Sequence, residues 1–398
     1  MTPKPRIAVV SPFLDKRHGT EHCVAEQVER LAGDYEIHIY SMRVEDVDLS
    51  RLVWHRIPDV PGPHLFRYVW WFVANHAWRW LHRRIQNISY DLLYSPGVNC
   101  LDADIIAVHI VFSEFYHLVK TDLRVPSKPI RFWPRLLHRW MYYHLLITLE
   151  RLIYSNKTTR LVGVSRKVRD DLKRWYGHTG EPIVVYDGTD TERFCPNARA
   201  GRRRAAREDL KLADTSFALL LVGNDWVKKG LPSLLAGLEV LANPHVHVLV
   251  VGQDDPTPYR EMLEKTGLAQ NVAFLPIRPD VEFYYAAADA YVGPSLEDAF
   301  SMPPLEAMGC GLPVIVSSMA GVSELITHGL DGFVLDRPRD FAQIADLVRQ
   351  LVENGDLCRR LGDNAARTAS KYSWARNAAE MKTCLDSALK KRDSPSSD

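Results

Sequence analysis

The chain has 398 residues, 46% of them hydrophobic and 25% charged, which is too long for one ordinary core and predicts two domains. Its six cysteines stand singly, with no CxxC pair, so neither a disulfide framework nor a zinc site is indicated. The formal net charge is only +1, no charged-then-apolar leader precedes the first apolar run, and no stretch of about 18 uninterrupted apolar residues occurs; a reduced, cytoplasmic protein that is neither secreted nor membrane-spanning is expected.

In chain order, RIAVVSPF (6–13) predicts a strand ending in a Ser-Pro turn, and EHCVAEQVERLAGD (21–34), with Val24, Val28 and Leu31 at helical spacing, predicts a helix. YEIHIYS, DLLYS, IIAVHIV, RLVGVS and PIVVYDG predict further strands, interleaved with helices such as SRKVRDDLKRWYG. The pattern restarts at FALLLVGN (217–224) and runs through LPSLLAGLEVLA, HVHVLVVGQ, YREMLEKTG, NVAFLP, AYVGPS, PLEAMGCG and PVIVSS. Strands alternating with helices predict parallel, doubly wound sheets: an α/β chain of two Rossmann-like domains facing a cleft. The expected division is 1–187, 188–373, and a last helix over 374–390 that crosses back to the first domain, with 391–398 a disordered tail. Turn residues and a basic run place the joint near 186–209.

Two segments, 60–90 and 123–149, lack any acid. On a helical wheel HLFRYVWWFVANHAWRWLHRR (64–84) puts Phe66, Val69, Trp70, Val73, Ala77, Trp80 and Leu81 on one face, and Arg67, Asn75, His76, Arg79, His82 and Arg83 on the other. IRFWPRLLHRWMYYHLL (130–146) repeats the theme. Tryptophan beside arginine fits docking on an anionic membrane surface, and it also fits core-packing helices with solvated arginines.

The segment PSLEDAFSMPPLEAMGCGLPVIV (294–316) carries the clearest chemistry. Pro303 and Pro304 sit where a helix start has no use for N–H groups, and Gly309 and Gly311 stop that helix. Its free amides and positive dipole end make an anion site. Asp298 precedes it and Glu306 lies one turn in, so a diphosphate on the amides with a hydroxyl-bearing ring on either side fits the charge pattern. Read alone, Glu306 also fits a first-turn acid that complements the dipole.

This segment resembles the signature of glycosyltransferase family 4, PS-x-x-E-G-F-G-x-P-x-L-E-A-M-A-x-G-x-P-V-I, whose members are retaining, nucleotide-sugar-dependent enzymes of the GT-B fold. RLVGVSRKVRDDL, DGTDTERFCP, LLLVGNDWVKKGLPSLLAGL, FYYAAADAYVGPS, AGVSELITHGLDGFVL and KYSWARNAAEM follow the family's order and spacing. The departures are Asp298 for the first Glu, Ala299 and Ser301 for glycines, Asn224 where Arg is common, and Asp187 for Asn. The resemblance implies that Glu306 accepts ribose hydroxyls, that Asp298 accepts those of the donor sugar, and that the amides of Ser301 and Met302 hold donor oxygens. It implies that Lys229 offsets charge on the leaving diphosphate, aided by Lys228 or Arg166, beside Gly223 and Asn224. Gly19 and Thr20 match the family's Gly-rich first loop, and His109 its cleft histidine, which would orient a donor hydroxyl; a plain turn and a core histidine are the alternatives.

LDAD (101–104) looks like a DxD metal motif, but it precedes its strand instead of ending one, so no catalytic metal and no cofactor are expected. The expected function is sugar transfer from a nucleoside diphosphate sugar to a saccharide or lipid-linked acceptor at the inner face of the cell membrane, with no nucleic-acid partner. The alternative is a catalytically degenerate relative that binds sugar or a partner protein. A dehydrogenase is disfavoured, because no GxGxxG follows either domain's first strand.

Overall fold

A computed structural model describes residues 3–119, 133–177 and 182–393. The chain divides into two compact units, Met1–Tyr186 with Trp374–Asp398, and Asp187–Ser373. Arg124, Lys128 and Arg131 of the second acid-free segment, and residues 394–398 of the tail, lie outside the described residues.

Unit one runs through β1 (Arg6–Val10), β2 (Phe13–Leu14), α1 (Gly19–Leu31), β3 (Glu36–Ser41), β4 (Arg43–Val44), β5 (Leu52–Arg56), α2 (His64–Ile85), β6 (Leu92–Pro96) and β7 (Ile105–Val108). It continues with α3 (Phe112–Val119), α4 (Trp133–Tyr154), β8 (Arg160–Gly163), α5 (Arg166–Tyr176) and β9 (Ile183–Val184). Unit two holds α6 (Pro196–Asp209), β10 (Phe217–Val222), α7 (Leu231–Leu241), β11 (Val246–Val251), α8 (Thr257–Thr266), β12 (Val272–Leu275), α9 (Glu282–Ala287) and β13 (Ala290–Gly293). It ends with α10 (Met302–Gly309), β14 (Val314–Ser317), β15 (Phe333–Leu335), α11 (Phe341–Glu353) and α12 (Gly355–Ala369), after which α13 (Trp374–Asp393) belongs to unit one.

Each unit is built on one parallel sheet, in the order β5-β3-β1-β6-β7-β8-β9 and β12-β11-β10-β13-β14-β15 respectively. The central strands read as continuous apolar runs because both faces are covered: Ile7 to Val10 and Ala218 to Leu221 are all buried. In α1 the apolar positions Val24, Val28 and Leu31 face the sheet, and Met381, Cys384 and Leu385 of α13 join the same core cluster. Polar bonds tie α13 down as well: Gln27 Nε2 donates to Asn377 Oδ1 at 2.9 Å and Tyr35 Oη to Asp386 Oδ1 at 2.5 Å. α13 runs three residues beyond its expected end at 390.

The boundary between the units, at Tyr186 and Asp187, falls inside the expected 186–209 joint, and the basic run near residue 200 is α6 of unit two, whose arginines fasten α9 to it. Arg202 Nη1 bonds Glu282 Oε1 at 2.6 Å, and Arg207 bonds the Ala287 carbonyl and Asp289 at 3.0 and 3.1 Å. Cations on the last carbonyls of a helix oppose its dipole favourably, which gives these charges a structural use. In α2 charge does not sort the two faces: Arg79 is buried, whereas Arg83 and Arg84 are exposed. Trp71, Ala74, Asn75 and Arg79 point inward, with Arg79 forked onto Asp102 at 2.7 and 2.8 Å, while Phe66 (55%), Val73 (60%) and Trp80 (61%) are exposed. A forked carboxylate bond lets a guanidinium pack inside, so charge alone did not determine which face was buried.

Candidate active site

Strands β10 and β13 pair side by side, and the chain leaves β10 toward β11 on one side and reaches β13 on the other, so a crevice opens at their C-terminal ends. The loop after β10 is shaped by two glycines. Gly223 has φ +135°, and Gly230 has φ +83° with its α-carbon so close to the next loop that a Cβ would lie 2.0 Å from the Pro294 carbonyl oxygen. Leu296 N donates to the Lys228 carbonyl at 2.7 Å and completes the clasp. Lys228 and Lys229 are thereby delivered to the loop after β13.

There Lys229 Nζ donates to Asp298 Oδ2 at 2.5 Å and lies 3.5 Å from Ser301 Oγ, and Lys228 Nζ pairs with Glu297 Oε2 at 2.8 Å. Burial works against a charge on Asp298, but the ammonium groups of Lys229 and Lys228 outweigh it and hold the carboxyl below its ordinary range. The Asp298 backbone is fastened by Met319 and Gly321, at 3.0 and 3.1 Å.

α10 starts at Met302, one residue before the expected prolines, and Ser301 precedes it with φ +77° and ψ +96°. That backbone region suits glycine, the residue usual in the motif at this position, and Ser301 occupies it because the flanking contacts dictate the turn. The amides of the first helical turn have no acceptor inside the helix. Glu306, one turn in, accepts a 2.6 Å bond from Tyr285 Oη, and Tyr285 stands edge-on to Phe194 at 5.5 Å. Burial, then the Glu306 charge, keep the Tyr285 phenol protonated, so one carboxylate oxygen of Glu306 has a permanent donor.

Asn224 is exposed, and its Oδ1 accepts the Gln253 amide at 2.9 Å. Beside it Asp254 caps the lysine loop, accepting from Asp225 N and Trp226 N at 3.0 and 2.7 Å. Glu297, Tyr285 and Asp254 were not foreseen. The motif spacing singles out Asp298 and passes over its neighbour, and Tyr285 and Asp254 act across loops that sequence separation hides.

In unit one, Gly19 does not lie in a loop: it is the first residue of α1, and the turn before it is held by Asp15, whose Oδ1 accepts from Arg17 N and His18 N at 2.8 and 3.0 Å. Thr20 and His109 line one cavity of about 260 Å³. His109 follows β7 directly; burial pushes its imidazole down to about 4, against a hydrogen bond with the Ala107 backbone, so the ring is neutral at pH 7. Arg166 opens α5, exposed, with Nε bonded to Tyr186 Oη at 2.9 Å. Asp102 and Asp104 of the LDAD stretch serve separate partners, Arg79 and the Leu93 amide.

Residues 17–193 match the family described as Glycosyltransferase Family 4, and residues 202–368 match Glycosyl transferases group 1. Lipopolysaccharide glucosyltransferase WaaG of Escherichia coli (strain K12) is 28% identical over 261 residues, 63% of this chain and 68% of its own. A D-inositol 3-phosphate glycosyltransferase of Corynebacterium glutamicum (strain R) is 26% identical over 60% of each chain. Matches to the curated relatives thus span only part of their length. Among solved structures, WaaG, described as a glycosyltransferase involved in lipopolysaccharide biosynthesis, superposes with TM-score 0.76 at 22% identity, covering 94% of this chain and 99% of its own. Anabaena Alr3699/HepE in complex with UDP and glucose gives 0.71 at 18%, covering 96% and 100%. Identities this low establish a common fold.

Proposed function

This chain belongs to glycosyltransferase family 4 and has the GT-B type of fold, and from that premise we propose that it moves a sugar, with retention at the anomeric carbon, from a nucleoside diphosphate sugar to a saccharide or lipid-linked saccharide. The supporting observation is the cluster of Lys229, Asp298 and Ser301 at the start of α10, with Glu306 one turn in. The Ser301 and Met302 amides hold donor oxygens, Glu306 takes the ribose hydroxyls, and Asp298 a hydroxyl of the sugar. The bond from the anomeric carbon to the diphosphate breaks on the face where the acceptor oxygen bonds, and the acceptor's proton passes to the leaving phosphate oxygen. Lys229 offsets the charge that grows on that leaving group. His109, neutral and in unit one, orients a donor hydroxyl.

The donor reading is tested by thermal stabilisation with a panel of nucleoside diphosphates, starting from UDP. A ligand at about 100 times its dissociation constant adds roughly 2.7 kcal/mol. Stabilisation followed by nucleoside diphosphate release in the presence of acceptor is expected. Stabilisation without release from any common donor would favour the degenerate binding protein instead, and no stabilisation by any member would remove the donor site.

We further propose that unit one docks on an anionic leaflet. Among the described residues, no helix is long and apolar enough to cross a membrane. The exposed apolar side chains Val69, Val73 and Trp80 of α2 and Leu137, Trp140 and Met141 of α4 stand with exposed Arg83, Arg84, Arg135 and Arg139 on the same helices. Each arginine near such a surface contributes about 1 kcal/mol before screening. Sedimentation with anionic but not neutral liposomes is expected; equal, salt-independent recovery in the supernatant would count against docking.

A further inference from the structure

Two ion pairs lie side by side between the loop after β10 and the loop after β13: Lys229 with Asp298 at 2.5 Å, and Lys228 with Glu297 at 2.8 Å. The four charges sum to zero. The Glu297 side chain is only 10% exposed and that of Lys228 26%, so solvent ions screen the second pair weakly. Its charge reaches the first pair: burial works against the Asp298 carboxylate, and the ammonium groups of Lys229 and then Lys228 outweigh it. Lys229 Nζ in turn lies 3.5 Å from Ser301 Oγ, at the residue before the first turn of α10.

In the reading above Asp298 serves the sugar and Lys229 the leaving group, whereas Glu297 has no task. The bond from Leu296 N to the Lys228 carbonyl seats it beside Lys228. An acid there opposes every anion that the lysines attract, and it opposes the two diphosphates of the reaction unequally. In the donor each phosphate bears one negative charge. Once the bond to the anomeric carbon has broken, the terminal phosphate gains a second ionisation near pH 6, so at neutral pH the product carries close to three charges against the donor's two. Repulsion scales with charge, so one carboxylate acts about one and a half times as strongly on the product as on the donor.

We propose, resting on the glycosyltransferase reading above, that Glu297 sets product release: its charge, held beside Lys228, weakens binding of the nucleoside diphosphate product more than binding of the nucleotide-sugar donor. It is a specificity residue and takes no part in bond breaking.

The test titrates UDP and UDP-glucose calorimetrically into the full chain at neutral pH, as wild type, E297Q, K228Q and K228Q/E297Q. E297Q keeps the shape of the side chain and removes its charge, and melting temperatures serve as the folding control. E297Q is expected to bind UDP about tenfold tighter than wild type and UDP-glucose only about fivefold tighter. The step from K228Q to K228Q/E297Q removes the same charge without leaving Lys228 beside a neutral partner, so it should tighten UDP more than UDP-glucose as well, and it carries the test if E297Q alone does not fold. Equal tightening of the two ligands would overturn the proposal, and so would unchanged or weaker binding of UDP, which is what an acid that merely holds Lys228 in place would give. Wild type that binds neither UDP nor UDP-glucose would instead remove the donor reading, and the proposal with it.

Discussion

At the strand ends of unit two, charges stand in pairs, Lys229 with Asp298 and Lys228 with Glu297, on loops clamped by glycines. At the strand ends of unit one, the cavity is walled by aromatic rings and two imidazoles that burial pushes down, with Glu21 and Arg67 as its charge-bearing side chains. The same sheet architecture thus presents two kinds of surface. Paired charges at helix starts are suited to a ligand whose own charge is large and shifts during reaction, since an acid partner holds the lysine in place until a phosphate competes for it. An aromatic-walled cavity discriminates by shape and hydrogen bonds, because burying an ion there is costly.

The largest effect that would break this contrast lies in α2. Trp71→Ala removes a fully buried ring from the cavity wall and should cost unit one about 3–5 kcal/mol in a denaturant melt. Trp80→Ala, on the exposed stripe, should change stability by less than about 0.5 kcal/mol. Equal costs would mean that the helix is turned the other way. Next, Lys229→Ala should lower kcat/KM by about a hundredfold or more, near 3 kcal/mol, in a nucleoside diphosphate release assay. A change below tenfold would show that the pairing with Asp298 is structural only.

A third test concerns Glu150 of α4, fully buried, which accepts from Phe112 N at 2.7 Å and Ser113 N at 3.1 Å at the start of α3, and from the Tyr176 hydroxyl. Burial raises its carboxyl to about 7, against these three bonds. A raised acid stabilises the fold fully below its unfolded value of 4.5, and that stability is lost as pH climbs through about 7. The stability of wild type, read from denaturant melts, should therefore fall across that window relative to E150Q by on the order of 1–3 kcal/mol; parallel curves would contradict the buried carboxyl. The smallest effect is expected from Ser301→Gly, which relieves a positive φ in unit two and should add about 1 kcal/mol, unless the 3.5 Å contact to Lys229 outweighs it. A net loss in the melt would assign Ser301 to holding the lysine.

Much of this was legible in the residues. Apolar runs between helical periods announced two parallel sheets, and PPLEAMGCG announced a helix with an open start, because proline and glycine carry their backbone preferences in any context. The turn of α2 was not legible: Asn75 and Arg79, which are buried, lie on the face that the periodicity marked as polar. The arginines of α6 sit just past the expected joint, and their use was not legible because their partners Glu282 and Asp289 lie some eighty residues on.

The sequence by itself determined the strands, the helix starts and the residues able to bear charge at them, all of which depend on local backbone preference and hydrophobic period. Only the tertiary structure decided which charges neutralise one another and which stay apart. Ion pairing and desolvation depend on distances between residues far apart in the chain, and those distances exist only once the sheets have formed.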